Sequence, residues 1–230
     1  MKIGLLLPTF RDDAESVLAI AREASAAGLD GAFCYDHLWP MGSPTRPALA
    51  PFPLLAALAQ REPELVIGPL VARVGLGGFE RLRQEFATLH ALAPGRVVAA
   101  LGTGDRLSRE ENEAYGLAYG SSEQRRGQLR DLARSLRDEM EVWVGAGAPA
   151  TNEIAVELHV TLNLWNASVE QVREASRHSR VTWAGDLSGD VGEHLDALAE
   201  AGAAWAVAST NVAREALYEW QRGRGISSVT

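Results

Sequence analysis

The chain has 230 residues, 47% of them hydrophobic and 23% charged, enough for one full-sized core and close to the roughly 250 residues of a typical (β/α)8 barrel. Its formal net charge of -8 opposes binding to phosphate backbones and anionic lipid, so nucleic acid and membrane are not expected as partners. The only cysteine, Cys34, excludes an intramolecular disulfide and a Cys-rich metal site. Without a signal-like leader or an apolar run of about 18 residues, a cytoplasmic location is expected.

In chain order, short apolar runs rich in β-formers alternate with longer segments whose apolar residues recur at helical spacing, the mark of βα units on a parallel sheet. The first unit pairs a strand at 3–7 with a helix at 14–27, the second 31–34 with 53–61, and the third 65–70 with 79–93. The fourth pairs 97–101 with 122–138, the fifth 141–144 with 149–157, and the sixth 159–164 with 168–178. The last two are 181–184 with 191–201 and 205–209 with 212–223. Gly28 and Gly202 stand where left-handed C-terminal caps belong, in the similar junctions EASAAGLDGAF and LAEAGAAWAV. The Pro-rich stretch 40–53 reads as a long loop, and no linker divides the chain. Eight such units predict a single-domain α/β fold, the closed (β/α)8 TIM barrel.

In such a barrel the strand ends form the mouth, where active sites sit. The residues falling there are Pro8, Thr9 and Phe10; Tyr35, Asp36, His37, Leu38 and Trp39; Val71, Ala72 and Arg73; Gly102, Thr103, Gly104 and Asp105. Round the other side come Gly145, Ala146 and Gly147; Trp165 and Asn166; Gly185 and Asp186; Thr210 and Asn211. Glycines after the fourth and fifth strands serve tight βα turns or let a bound anion approach backbone N–H groups at a helix start. Asp36 beside His37 serves either as loop hydrogen bonding or as acid–base chemistry. His90, His159, His178 and His194 read as structural, with no metal-ligand spacing and no H-E-x-x-H or G-x-S-x-G pattern. Lys2, the only lysine, precedes the first strand, so Schiff-base chemistry at the mouth is excluded.

The segments KIGLLLPTF, AAGLDGAFCYDHLWP, LVIGPLV, ALAPGRVVAALGTGD and VWVGAGAP resemble, in order, motifs of the bacterial luciferase-like monooxygenase family of flavin- and deazaflavin-dependent oxidoreductases. In that family a strand ending in Asp-His is typical of the branch using the deazaflavin coenzyme F420, and Gly-Thr-Gly with an acid follows the fourth strand. Asp36, His37 and Asp105 match those positions. QRRGQLRD at 124–131 resembles the family's helix pattern through Arg125, Gln128, Leu129 and Asp131. The resemblance implies a ring resting against Leu70 and Val71, joined by a non-prolyl cis peptide. Together with the glycine reading, it sets the cofactor phosphate near Gly102, Thr103, Gly104, Asp105, Gly145, Ala146 and Gly147.

The reaction so implied is hydride transfer between F420 and a small organic substrate, with His37, then Asp36, as catalytic residues. An FMN-dependent monooxygenase and a non-catalytic flavin-binding barrel are the alternatives. A homodimer through the second and third helices is expected. The chain departs from the family in its shortness and in carrying His159 and Val160 where an Asp-Gly usually precedes the sixth strand.

Overall fold

The computed structural model describes residues 1–40, 42–76, 78–104, 108–146, 148–209, 212 and 214–227. The elements run β1 (Lys2–Leu6), α1 (Ala14–Ala26), β2 (Gly31–Cys34), α2 (Pro51–Arg61), β3 (Val66–Pro69), β4 (Ala72–Arg73), α3 (Phe79–Leu92) and β5 (Val98–Gly102). Then come α4 (Ser108–Ala114), α5 (Ser122–Leu136), β6 (Glu141–Ala146), α6 (Pro149–Leu158), β7 (Thr161–Trp165) and α7 (Val169–Ser176). The chain closes with β8 (Val181–Gly185), α8 (Val191–Glu200), β9 (Ala203–Ala208) and α9 (Arg214–Ser227). Helix starts are fixed by local chemistry. Asp13 and Asp190 accept N–H bonds at the openings of α1 and α8, while Ser121 with Gln124 and Ser168 with Gln171 form capping boxes on α5 and α7. Gly28 and Gly202 follow α1 and α8 at φ of 80° and 95°, as their place in the sequence predicts.

All strand pairs are parallel, in the order β3-β2-β1-β9-β8-β7-β6-β5-β4. β3 and β4 are two pieces of one stave, so nine strands make eight staves. The seam closes between β3 and β5 through a bridge from Ile67 to Val97 and a 2.8 Å bond from Ile67 N–H to Arg96 O. One core lies between staves and helices, where Leu55, Phe86, Leu132, Ile154 and Leu195 are buried. A second fills the barrel, with Phe33 packed on Trp143 at 5.3 Å and on Trp205 at 5.8 Å between ring centroids.

Three features differ from the sequence reading. The third strand is interrupted at Leu70 and Val71, whose peptide is cis, as the resemblance implies. The seven-residue α4 stands in a segment read as part of a connection, because seven residues carry too short a period to register. His159 does not open a strand: it is the left-handed C-cap of α6 at φ 53°, with Val160 N–H returning to Ala155 O, and β7 begins at Thr161.

Seam closure requires glycine at 68. A Cβ there would lie 2.3 Å from Val98 O, a backbone atom that no rotamer change can move. Gly68→Ala is therefore expected to destabilise the barrel by roughly 1 to 3 kcal/mol, read as a lower urea midpoint. An unchanged midpoint would show that the seam yields freely.

Candidate active site

β2 delivers Tyr35, Asp36 and His37 to the C-terminal rim, and the polar groups that meet them come from β4 and α4. His37 Nδ1 lies 2.7 Å from Glu111 Oε1. The other carboxylate oxygen accepts from Leu38 N–H at 2.7 Å and from Arg73 Nη2 at 2.8 Å. Arg73 in turn donates its backbone N–H to Asp36 Oδ2 and its Nε–H to Asp36 O, both at 2.8 Å. Glu111 is 1% exposed and Arg73 is buried as well, whereas the His37 side chain keeps 20% of its surface. Burial alone would raise the Glu111 carboxyl, but the bonds from His37, Leu38 N–H and Arg73 outweigh it and hold the group below the ordinary carboxylate range. Asp36 goes the other way: burial lifts its carboxyl against the opposing pull of Arg73. With Glu111 ionised, the His37 proton sits on Nδ1, leaving Nε2 as the nitrogen available to a ligand.

Behind this cluster, Val71 projects into the barrel mouth. A Cβ on Gly102 would lie 2.4 Å from Val71 Cγ2, and one on Gly145 would lie 2.8 Å from Val71 Cγ1. Both glycines therefore make room for Val71, a use that their sequence context did not disclose. Arg125, at the start of α5, donates Nε–H to Thr103 O at 2.9 Å and Nη1–H to Gly120 O at 2.7 Å. Its guanidinium stacks on Tyr119, 4.1 Å from the ring centroid.

These parts line one cavity of about 520 Å³. His37, Asp36, Leu70, Val71, Gly102, Thr103, Gly104 and Gly145 all border it, joined by Arg73, Ser108, Ser122, Arg125, Arg126, Asn163 and Trp165. Ala146 ends β6; Asp105 and Gly147, like Thr210 and Asn211, lie outside the described residues. Glu111 is the group that the sequence reading missed, whereas Arg73 was placed at the mouth without a role. The available signal was SREENEA after the fourth strand, where Ser108, Glu111 and Asn112 are buried amid an acidic run. Among the described residues no group of three or more His, Cys, Asp or Glu side chains could hold a metal, and no helix is long and apolar enough to cross a membrane. A wider concavity of about 760 Å³ lies at the floor, where Arg137 is bonded to Leu158 O and Arg180 to Glu141, far from this chemistry.

A family model described as luciferase-like monooxygenase matches residues 1–141. The chain belongs to that family. An F420-dependent glucose-6-phosphate dehydrogenase from Nakamurella multipartita is 31% identical over 129 residues, covering 56% of this chain and 36% of the relative. Its counterpart from Mycolicibacterium smegmatis is 29% identical over 148 residues, 63% and 42% of the two chains. The matched stretches thus span less than half the length of these curated relatives. An F420-dependent secondary alcohol dehydrogenase, solved with an F420-acetone adduct, superposes with a TM-score of 0.77 over 96% of this chain and 97% of that one, at 13% identity. That likeness is one of fold, and with it this luciferase-like chain has the barrel architecture that its periodicity predicts.

Because the Glu111 carboxyl is depressed in the folded chain, its contribution to stability is complete above the ordinary carboxylate range and is lost as pH falls through the folded value. Glu111→Gln is expected to cost roughly 1.5 to 3 kcal/mol at pH 7 and progressively less in acid. Urea denaturation at pH 7 and at the acid edge of stability reads the difference, and a cost independent of pH would contradict the ionised carboxylate.

Proposed function

We propose that this chain is an oxidoreductase that transfers hydride between coenzyme F420 and a small organic substrate in the mouth cavity, with His37 exchanging the substrate's proton. The observation carrying this reading is the His37–Glu111 pair: a ring at the cavity wall, its Nδ1 committed to a buried carboxylate and its Nε2 left for chemistry. The F420 dependence named for both curated relatives supports the choice of cofactor.

The residues present fit such a group. The cavity volume lies within the range of cofactor sites. Leu70 and Val71 offer an apolar seat for a flat ring, while Thr103, Ser108, Ser122, Arg125 and Arg126 bring hydroxyl and guanidinium donors to an anionic tail. Ser122 opens α5, where the helix dipole adds to the attraction. A bound deazaflavin supplies a carbon centre that gives or accepts hydride. His37 Nε2 then takes the proton from a substrate hydroxyl during oxidation, or returns one to a carbonyl oxygen during reduction. Glu111 holds the ring in the required tautomer and stabilises the imidazolium that forms. Asp36, tied to Arg73 N–H, keeps the loop in register. A homodimer through α2 and α3 belongs to the same proposal, supported by a groove there that includes Phe52, Leu89 and Leu92.

Titration with F420 and with FMN, followed by fluorescence, tests the cofactor, and binding of neither would overturn the reading. His37→Ala should keep F420 affinity within a few fold while lowering turnover by about 10²- to 10⁴-fold. Full turnover in that variant would remove His37 from the chemistry.

A further inference from the structure

Of the eight staves, taken in circular order β1, β2, β3 with β4, β5, β6, β7, β8 and β9, β2 and β7 stand opposite each other. Tyr35 follows β2 and Trp165 ends β7, yet their rings meet at 6.4 Å between centroids and 62°. The two aromatic side chains therefore bridge the barrel mouth along a diameter. Phe10, from beyond β1, stacks on Tyr35 at 5.1 Å and 14° and backs the bridge from the far side.

The bridge divides the mouth by chemistry. Every described residue lining the cavity comes from β2, β7 or the elements between them on the β3–β6 side. At the ends of β8 and β9 the described polar groups bond to one another: Ser209 Oγ–H donates to Asp186, and Asp186 N–H to Asn166 Oδ1. Within the cavity the ionisable side chains run from the end of β2 to the start of α5, with Asp36, His37 and Arg73 among them. Arg125 and Arg126 stand with Ser122 at the start of α5, whereas the bridge contributes two aromatic rings, and Trp165 keeps 45% of its surface uncovered. Asn163, two residues before Trp165, has its Nδ2 committed to Thr182 Oγ1 at 2.9 Å, so the side chain is fixed where it lines the same wall.

We infer that the Tyr35–Trp165 bridge is the substrate wall, and that the substrate is an uncharged, planar alcohol or carbonyl compound held between this wall and the ring seat at Leu70 and Val71. This rests on the hydride-transfer reading and deepens it. A flat, neutral body gains stacking on the half-exposed Trp165, with Tyr35 inclined at 62° beside it, while its oxygen is within the cavity that His37 borders. An anionic sugar phosphate offers the rings C–H groups in place of a π face, and its phosphate loses hydration against them. Trp165 also lies beyond the stretch that matches the family model, whereas Tyr35 lies within it, so one of the two rings belongs to the part of the chain where substrate choice is free to differ from that of the curated relatives.

The test is calorimetric binding of 4-nitrobenzyl alcohol and of glucose 6-phosphate to the F420-loaded chain, to Trp165→Ala and to Trp165→Phe. The alcohol should bind the wild type more tightly than the sugar phosphate. Trp165→Ala should weaken the alcohol about fivefold or more, Trp165→Phe should retain it within about twofold, and F420 affinity should stay within about twofold throughout. Equal affinity of wild type and Trp165→Ala for the alcohol, or tighter binding of glucose 6-phosphate, overturns the inference. Failure of F420 itself to bind strikes the hydride-transfer reading instead, because the alcohol can then be titrated into the cofactor-free chain and the wall judged by the same Trp165 comparison.

Discussion

A single buried carboxylate, that of Glu111, holds the mouth of this barrel together. An ionised group at 1% exposure is tolerated only when its oxygens are satisfied by charged or strongly polar donors. Here those donors come from two other elements: the loop after β2, through His37 and Leu38 N–H, and β4, through Arg73. The dependence runs in both directions. α4 has seven residues, too few to be stable alone, and is fastened by Glu111 together with the 3.1 Å bond from Asn112 Nδ2 to Gly75 O. Remove the carboxylate and Arg73 Nη2 loses its acceptor, His37 its orientation and α4 one of its two fastenings at once.

The second constraint is steric and lies beside the first. Val71 stands where the third stave breaks, and its two methyl groups occupy the space that Cβ atoms would take on Gly102 and Gly145. Three adjacent staves are thereby packed around one side chain, and the same residue offers its surface to the cavity. The polar cluster and the apolar seat are coupled through the chain itself, since Arg73 lies two residues beyond Val71. A shift of β4 that disturbs one disturbs the other.

How much of this was legible in the sequence depends on the range of each signal. The barrel was readable because eight repeats of strand and helix periodicity add up, and because Gly28 and Gly202 mark equivalent junctions. His37 and Asp36 were readable by their position after a strand and by resemblance. Glu111 was not, because its meaning comes from a partner 74 residues away and from burial that no local pattern announces in an acidic, surface-like segment. Gly102 and Gly145 were placed correctly at the mouth, but their contact with Val71 joins separate staves, and a glycine carries no mark of what fills the space beside it. The αL cap at His159 was missed for a local reason: a non-glycine residue adopted the conformation that glycine usually signals.

The parts of the mouth divide along the chain. Residues 1–141, which match the family model, contain His37, Val71, Arg73, Glu111 and Arg125, the members of the proposed acid–base cluster and ring seat together with the cation at α5. The C-terminal remainder contributes β7 and its Trp165, one of two rings that span the mouth. A closed barrel makes this simple, because a stave far along in sequence returns opposite β2 by taking its turn round the circle. The cluster of His37, Glu111 and Arg73 holds its geometry with buried charge. The aromatic bridge rests instead on ring contacts, Trp165 on Tyr35 and Tyr35 on Phe10, and the substrate wall proposed for it needs only shape and polarity.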